Sequence, residues 1–402
     1  MRKSPILYLL VILCSPSFGM QTPALQLVYY DYAQLAIIKA GDLPAKPAYK
    51  SLLKQADQLL SVPAENVTDG DVPPSGDVHD FFAIGKLAFP NPNTADGMPY
   101  VRRDGVTNPE ADGSRYDLSR YNTTLSRVNQ LCLAFYFTGQ EKYAQKASEL
   151  LRIWFLDPKT KMNPNLKNAS ALPGVYDGMP IGIIFSVALI KTVDHIKLLS
   201  LSKSWTQNDD KELKAWFSDY TTWLLESDMG KKEGLADNNH GSWYTAQIMA
   251  FSLYSGNLKR ARSLVSLARK QIDQQITAVG SMPRELSRQR SLHYSVYGLQ
   301  AFVTIARCMD HLGEDLWHYK TSDGRGMHLG FAFLSPYLLG KKQWSWTNIE
   351  KGKTPEGALD LFRWAAKKYD DPLFKETSKH LELSAPASSI SAFLSSDSTG
   401  LK

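Results

Sequence analysis

Apolar residues recur at three- and four-residue steps through much of the chain, the period of a helix with one buried face. Leu125, Val128, Leu131 and Phe135 form one such row, which Thr138-Gly139 interrupts as a helix C-cap does. A second row follows at once: Tyr143, Ala144, Ala147, Leu150, Leu151 and Trp154, ending before Pro158. The two rows predict a helical hairpin with a tight turn. The device recurs over 243–254, closed by Ser255-Gly256 and followed by Ala261, Leu264, Val265, Ala268 and Ile272. It recurs again over 299–312, closed by Gly313 and followed by Asp315-Leu316-Trp317. Three antiparallel pairs with Gly turns predict an all-α fold of repeated hairpins, for which an α/α toroid and an α-solenoid both serve. No alternating pattern is strong enough for a β-domain.

Two stretches break the periodicity. Residues 62–122 and 157–180 are rich in Pro, Gly, Asp and Asn, and loops this long in a helical scaffold are usually functional or disordered. At the N-terminus, Arg2-Lys3, the apolar run Ile6 to Cys14 and the small residues up to Gly19 have the order of a secretory signal peptide. The run is too short to span a bilayer. The organisation expected is a leader over 1–20, one helical domain over 21–385, and a Ser-rich tail over 386–402, frayed from Ser384 on. A secreted or periplasmic protein follows, without stable membrane association.

The 402 residues carry a formal charge of +6, and losing Arg2 and Lys3 with the leader takes it to +4. The excess is modest and forms no dense basic tract, so the expected partner is an acidic substrate rather than nucleic acid. Beyond the leader, Cys132 and Cys308 remain; Cys132 lies in an apolar helical row, where a buried free thiol is the simplest state. Sequons stand at Asn66, Asn122 and Asn168. There is no dinucleotide-binding glycine motif in strand–helix context, no P-loop, no HExxH and no GxSxG elbow. The eight His are scattered, so no metal and no cofactor are called for.

Two segments are unusually polar for their position. Glu233-Gly-Leu-Ala-Asp-Asn-Asn-His-Gly-Ser-Trp-Tyr244 places Asn238, Asn239 and His240 just before an apolar helix. Helix capping alone accounts for part of that pattern. Pro283-Arg-Glu-Leu-Ser-Arg-Gln-Arg-Ser-Leu-His-Tyr-Ser-Val-Tyr297 carries Arg288, Arg290, Tyr294 and Tyr297. Six residues are about 600° of helical rotation, so Arg288 and Tyr294 point about 120° apart unless a helix ends between them. Together the segments supply Asn, His, Arg and Tyr, a set suited to β-elimination from a uronic acid. Donors at the C6 carboxylate stabilise the enolate-like intermediate. A Tyr beside an Arg takes the C5 proton and then protonates the leaving O4. One group serves both steps only when proton and leaving group share a face, as in mannuronate and glucuronate; guluronate needs a second group, for which His240 is the candidate.

Asn238-Asn239-His240 with Trp243, and Glu285-Leu-x-Arg288-x-Arg290-Ser-Leu-x-Tyr294, resemble the signature of the alginate lyase superfamily. The stretch from Tyr100 to Glu110, Asn163-Pro164-Asn165-Leu166, Asp323-Gly-Arg-Gly326 and Pro336-Tyr337 resemble supporting motifs of its glucuronan- and mannuronan-cleaving group. The resemblance covers roughly residues 75 to 350 and implies an α/α toroid. It implies Asn239 and His240 as carboxylate neutralisers, Arg288 as their assistant and Tyr294 as base and acid. Glu233 would orient His240 or bind sugar, and Asn238 and Trp243 would contribute to substrate binding. Arg290 and Tyr297 are the rival pair, one small alignment shift away. Arg102, Arg103, Lys341 and Lys342 are candidates to line a polyanion groove. Two departures stand out: Leu87-Ala88-Phe89 where relatives often carry paired Trp, and Asp177-Gly-Met-Pro180 where they often carry a Gly-Arg-Gly turn. The rival functions are a toroid that binds carbohydrate without cleaving it, a glycosaminoglycan lyase, and an inverting hydrolase using Asp237 and Glu285.

Overall fold

A computed structural model describes residues 25–394; the leader expected over 1–20 lies outside the described residues. Helices Asp117–Thr138 and Glu141–Phe155 form the first expected hairpin, and Gly139 turns it at φ 70°, donating its N–H to Phe135 O. The second pair is helix Asn239–Tyr254 against Leu258–Ser263 and Val265–Gln275, the return arm being broken at Leu264. The third expected pair does not form. Helix Ser291–Asp310 is followed by irregular chain until helix Met327–Leu338. Asp315 explains the difference: its carboxylate accepts from the His318 backbone and ring, a local turn that competes with helix. Leu316 and Trp317 are nevertheless buried, as irregular chain.

Four helices stand side by side as an inner wall: Asp117–Thr138, Ala188–Leu199, Asn239–Tyr254 and Ser291–Asp310. Glu141–Phe155, Gln207–Glu226 and Val265–Gln275 back them from outside. Burial follows this layering. Asn239–Tyr254 is buried on nearly every side, polar Ser242, Thr245, Gln247 and Ser252 included. Glu141–Phe155 instead buries one stripe and leaves the opposite face polar. This is an α/α toroid, as expected.

The four inner helices run in one direction. Their first turns, at Leu118, Asn122, Ala188, Asn239 and Tyr294, share one cleft. Their far halves contribute Leu133, Phe137 and Leu198 to a second small core with Leu27, Tyr30, Leu52 and Phe393. There the chain from Gln26 to Tyr30 plugs the toroid. Asp194 accepts the backbone N–H groups of Val28, Tyr29 and Tyr30 at 2.7–3.0 Å. Arg307 donates to the carbonyls of Leu27, Val28 and Tyr30. The tail expected to fray is docked as far as residue 394: helix Ile390–Phe393 packs Phe393 on Phe137 at 5.5 Å.

The two irregular stretches are ordered and cap the cleft end. Phe82–Ile84 pairs in parallel with Asn168–Ala171, and Ala88–Phe89 pairs antiparallel with Val101–Arg102. Buried Asp80 knots them together, accepting from Ser75, Asn163 and Asn165. The Asn168 sequon is buried in its strand. Cys132 and Cys308 are both free and buried. Among the described residues, no helix is long and apolar enough to cross a membrane.

Candidate active site

The cleft has a volume of about 1050 Å³. Its inner side is made by the starts of the four inner helices, and its rim by residues 85–107 and 170–188. Parallel helices that begin at one cleft bring their positive dipole ends to it. Lys86, Arg102, Arg288 and Arg290 add positive charge, against Asp104 and Glu233. Glu233 is buried beneath His240, so the lining favours an anion.

The first polar segment folds as a helix start. Asn238 is the N-cap, its side chain accepting from His240 N at 3.0 Å. Gly241 lets this turn press against the preceding loop, since a Cβ there would lie 2.1 Å from Ala236 O. Glu233, on helix Asp228–Gly234, accepts from His240 Nδ1 at 2.6 Å. That bond fixes the ring and leaves Nε2 as the nitrogen available to a ligand. Asn239 is fully buried and held by Glu285, which accepts its backbone N–H and its Nδ2, both at 2.7 Å. Burial pushes the Glu285 carboxyl up, while Asn239 and the charges of Arg288 and His240 pull it down. Because Nδ2 faces Glu285, the amide orientation is determined, and Asn239 Oδ1 has no hydrogen-bond partner.

The second segment resolves the 120° conflict. Helix Pro283–Leu286 ends, a turn carries Ser287 to Arg290, and a new helix begins at Ser291. Arg288 therefore folds back over Tyr294, its guanidinium 4.0 Å from the ring centroid and NH2 3.0 Å from the phenol oxygen. Asp104, from the rim loop, lies 3.4 Å from the same NH2. The rival pair does not meet. Arg290 binds Glu350 at 2.8 Å, and Tyr297 packs on Trp243 at 5.0 Å and stacks on His293. Desolvation pushes the Tyr297 hydroxyl well above its ordinary value. Both residues still line the cleft.

Asn238, Asn239, His240, Glu233, Arg288, Tyr294, Arg290, Tyr297 and Arg102 thus come together around one space. Trp243 does not reach it: the indole is buried beneath Tyr297. Arg103 lies over the Phe89 ring and Lys341 pairs with Glu376, both away from the cleft lining. Asp237 and Glu285 cannot act as a hydrolase pair, since Asp237 is engaged by exposed Arg284 and Glu285 is buried under Asn239. Sequence reasoning did not single out His293, Asp104 and Lys86 as cleft residues. His293 and Asp104 sit within the segments that carry the resemblance; for Lys86 no spacing marks it. Leu87, Ala88 and Met179, from the two departing stretches, line the cleft. Ser170, also on the lining, holds a left-handed φ of 56°, the kind of backbone strain that persists where surrounding structure enforces it.

A family model described as alginate lyase matches residues 67–344. No curated protein sequence matches the chain. A solved alginate lyase from Bacteroides ovatus is 33% identical, with 92% of this chain and 99% of that one covered and a TM-score of 0.87. Alginate lyase A1-III from Sphingomonas species A1 is 18% identical over 85% of this chain and 92% of its own, with a TM-score of 0.51. A variant of A1-III complexed with a tetrasaccharide is 17% identical over 85% and 87%, with a TM-score of 0.54. These two share the fold. The family match spans well over half the chain: it belongs to the alginate lyase family and is a polysaccharide lyase.

Proposed function

We propose that this lyase is secreted and cleaves a 1,4-linked polyuronate by β-elimination, leaving a 4,5-unsaturated uronate on the new non-reducing end. Tyr294 takes the C5 proton and returns a proton to the departing O4. Arg288 supplies the charged hydrogen bond that supports the phenolate from which Tyr294 starts and to which it returns after the second step. His240, through Nε2, and Asn239, through the second hydrogen of Nδ2, receive the C6 carboxylate and the charge that develops there. Glu233 and Glu285 act behind them, one setting the imidazole and the other the amide. The observation that carries this reading is the 3.0 Å contact of Arg288 with the Tyr294 hydroxyl, in the cleft that His240 also lines.

A single Tyr serving both proton transfers suits a uronate whose C5 hydrogen and O4 share a face. Polymannuronate and glucuronan are therefore the favoured polymers. The test follows the ultraviolet absorbance of the conjugated double bond with polymannuronate, polyguluronate, glucuronan and hyaluronan. A rise on polymannuronate or glucuronan that vanishes in Tyr294→Phe supports the reading. A rise that survives in Tyr294→Phe transfers the base role to another group, and a rise on hyaluronan alone would make the protein a glycosaminoglycan lyase.

A further inference from the structure

After helix Met327–Leu338 the chain returns along the cleft wall and is tied there at several points. Trp344 Nε1 donates to Ser291 Oγ at 2.8 Å, and Ser291 Oγ donates to Thr347 O at 2.6 Å. Ile349 N donates to Gln289 O at 3.0 Å, and Arg290 pairs with Glu350. Gln289 and Arg290 both line the cleft, so this loop is bonded directly to its wall.

On that frame four aromatic rings gather: Phe333, Tyr337, Trp344 and Trp346. The Trp346 indole lies 4.9 Å from Trp344, 5.5 Å from Phe333 and 6.0 Å from Tyr337. The interplanar angles are 56°, 60° and 77°, so among the described residues no ring is stacked flat on the indole face. Phe333 and Trp344 pack against the main core; Trp346 and Tyr337 stand outside it, half-buried. Lys342, Lys351 and Lys353 on the same loop are exposed. Trp346 is thus a half-exposed aromatic side chain on a loop bonded to the cleft wall.

We propose that this loop is a distal subsite for the polyuronate chain as it leaves the cleft. The C–H face of one pyranose lies on the Trp346 indole, and its carboxylate is met by the loop lysines. Aromatic faces suit that task because they give contact area with few rotatable bonds, and the indole N–H can serve a hydroxyl. The proposal rests on the polyuronate reading of the site. It assigns the subsite no proton transfer, so its effect is on binding of long chains.

The test measures binding of oligomannuronate and oligoglucuronate to the full chain carrying Tyr294→Phe, by intrinsic tryptophan fluorescence and calorimetry. Adding Trp346→Ala should weaken octamer binding by about tenfold and leave trimer binding unchanged. Adding Trp346→Phe, which keeps an aromatic face, should recover most of the loss. Unchanged octamer affinity in Trp346→Ala overturns the proposal. So does an equal loss for trimer and octamer, which would mark a packing role, and so does failure of the octamer to bind the parent. The absorbance assay on the otherwise native chain is read separately. Trp346-dependent octamer binding without any absorbance rise would keep the subsite and remove the lyase reading of this cleft.

Discussion

At the plugged end of the toroid, Asp194 and Arg307 spend their hydrogen-bonding capacity on the backbone of residues 27–30. At the cleft end, Arg288, His240 and Asn239 stand at the starts of inner helices or on the turns that lead into them, yet each keeps capacity for a ligand. Asn239 Nδ2 has a second hydrogen beyond the one given to Glu285, and the His240 ring is anchored through one nitrogen only. Residues 26–30 close one end with backbone groups that match the helices' side chains; loops close the other only partly. Buried polar groups stabilise when every lone pair and N–H is used, and bind or catalyse when some are left open.

That contrast can be broken from either side. The largest effect belongs to the cleft: Tyr294→Phe should lower kcat roughly 10³-fold while the thermal midpoint stays at the native value, as calorimetry beside the absorbance assay would show. A large fall in midpoint would mean that Tyr294 is structural. At the opposite end, Asp194→Asn places an amide N–H against three backbone donors and should cost about 3 kcal/mol of stability in urea unfolding. The folded fraction should keep native specific activity; a loss of activity there would mean that the two ends are coupled.

Glu285→Gln sharpens the comparison, because Glu285 is a fully engaged carboxylate at the cleft end. One of its two acceptors for Asn239 becomes a donor, which turns or releases the amide. We expect kcat to fall about 100-fold with KM within about threefold, since a small misplacement near the reacting group costs that much. A purely structural role would instead lower the midpoint and leave kcat of the folded enzyme intact.

The smallest effect is in pH dependence. His195, at the plugged end, is held between Tyr30 OH and Lys191 O, and burial first, then the Lys191 charge, pushes its pKa down to about 3 from 6.5. The unfolded chain takes up a proton below 6.5 that the folded chain refuses, so its contribution to stability is complete above that value and is lost as pH falls. The slope is at most about 1.4 kcal/mol per pH unit. His195→Gln should narrow the difference in thermal midpoint between about pH 7 and pH 5. An unchanged difference would mean the ring titrates normally in the folded state.

Sequence periodicity and spacing by themselves determined the all-α class, two of the three Gly-turned hairpins and the two polar segments. These depend on local rules: apolar positions every three or four residues, Gly at a left-handed cap, Asn ahead of a helix. The same rules erred at Asp315, where one side-chain turn outweighed the apolar pair Leu316-Trp317. They also left Arg288 and Tyr294 apart, because the helix break at Ser287 to Arg290 is set by Arg290 and Ser291 pairing with the distant 347–350 loop. Only the tertiary structure decided that Glu285 holds Asn239, 46 residues away, and that Trp243 lies under Tyr297 rather than in the cleft. It alone decided that residues 26–30 plug one end and that the 347–350 loop is tied to the cleft wall at the other. Such contacts join segments far apart in sequence, and their energy depends on desolvation and on which polar groups remain unpaired. No local pattern records that information.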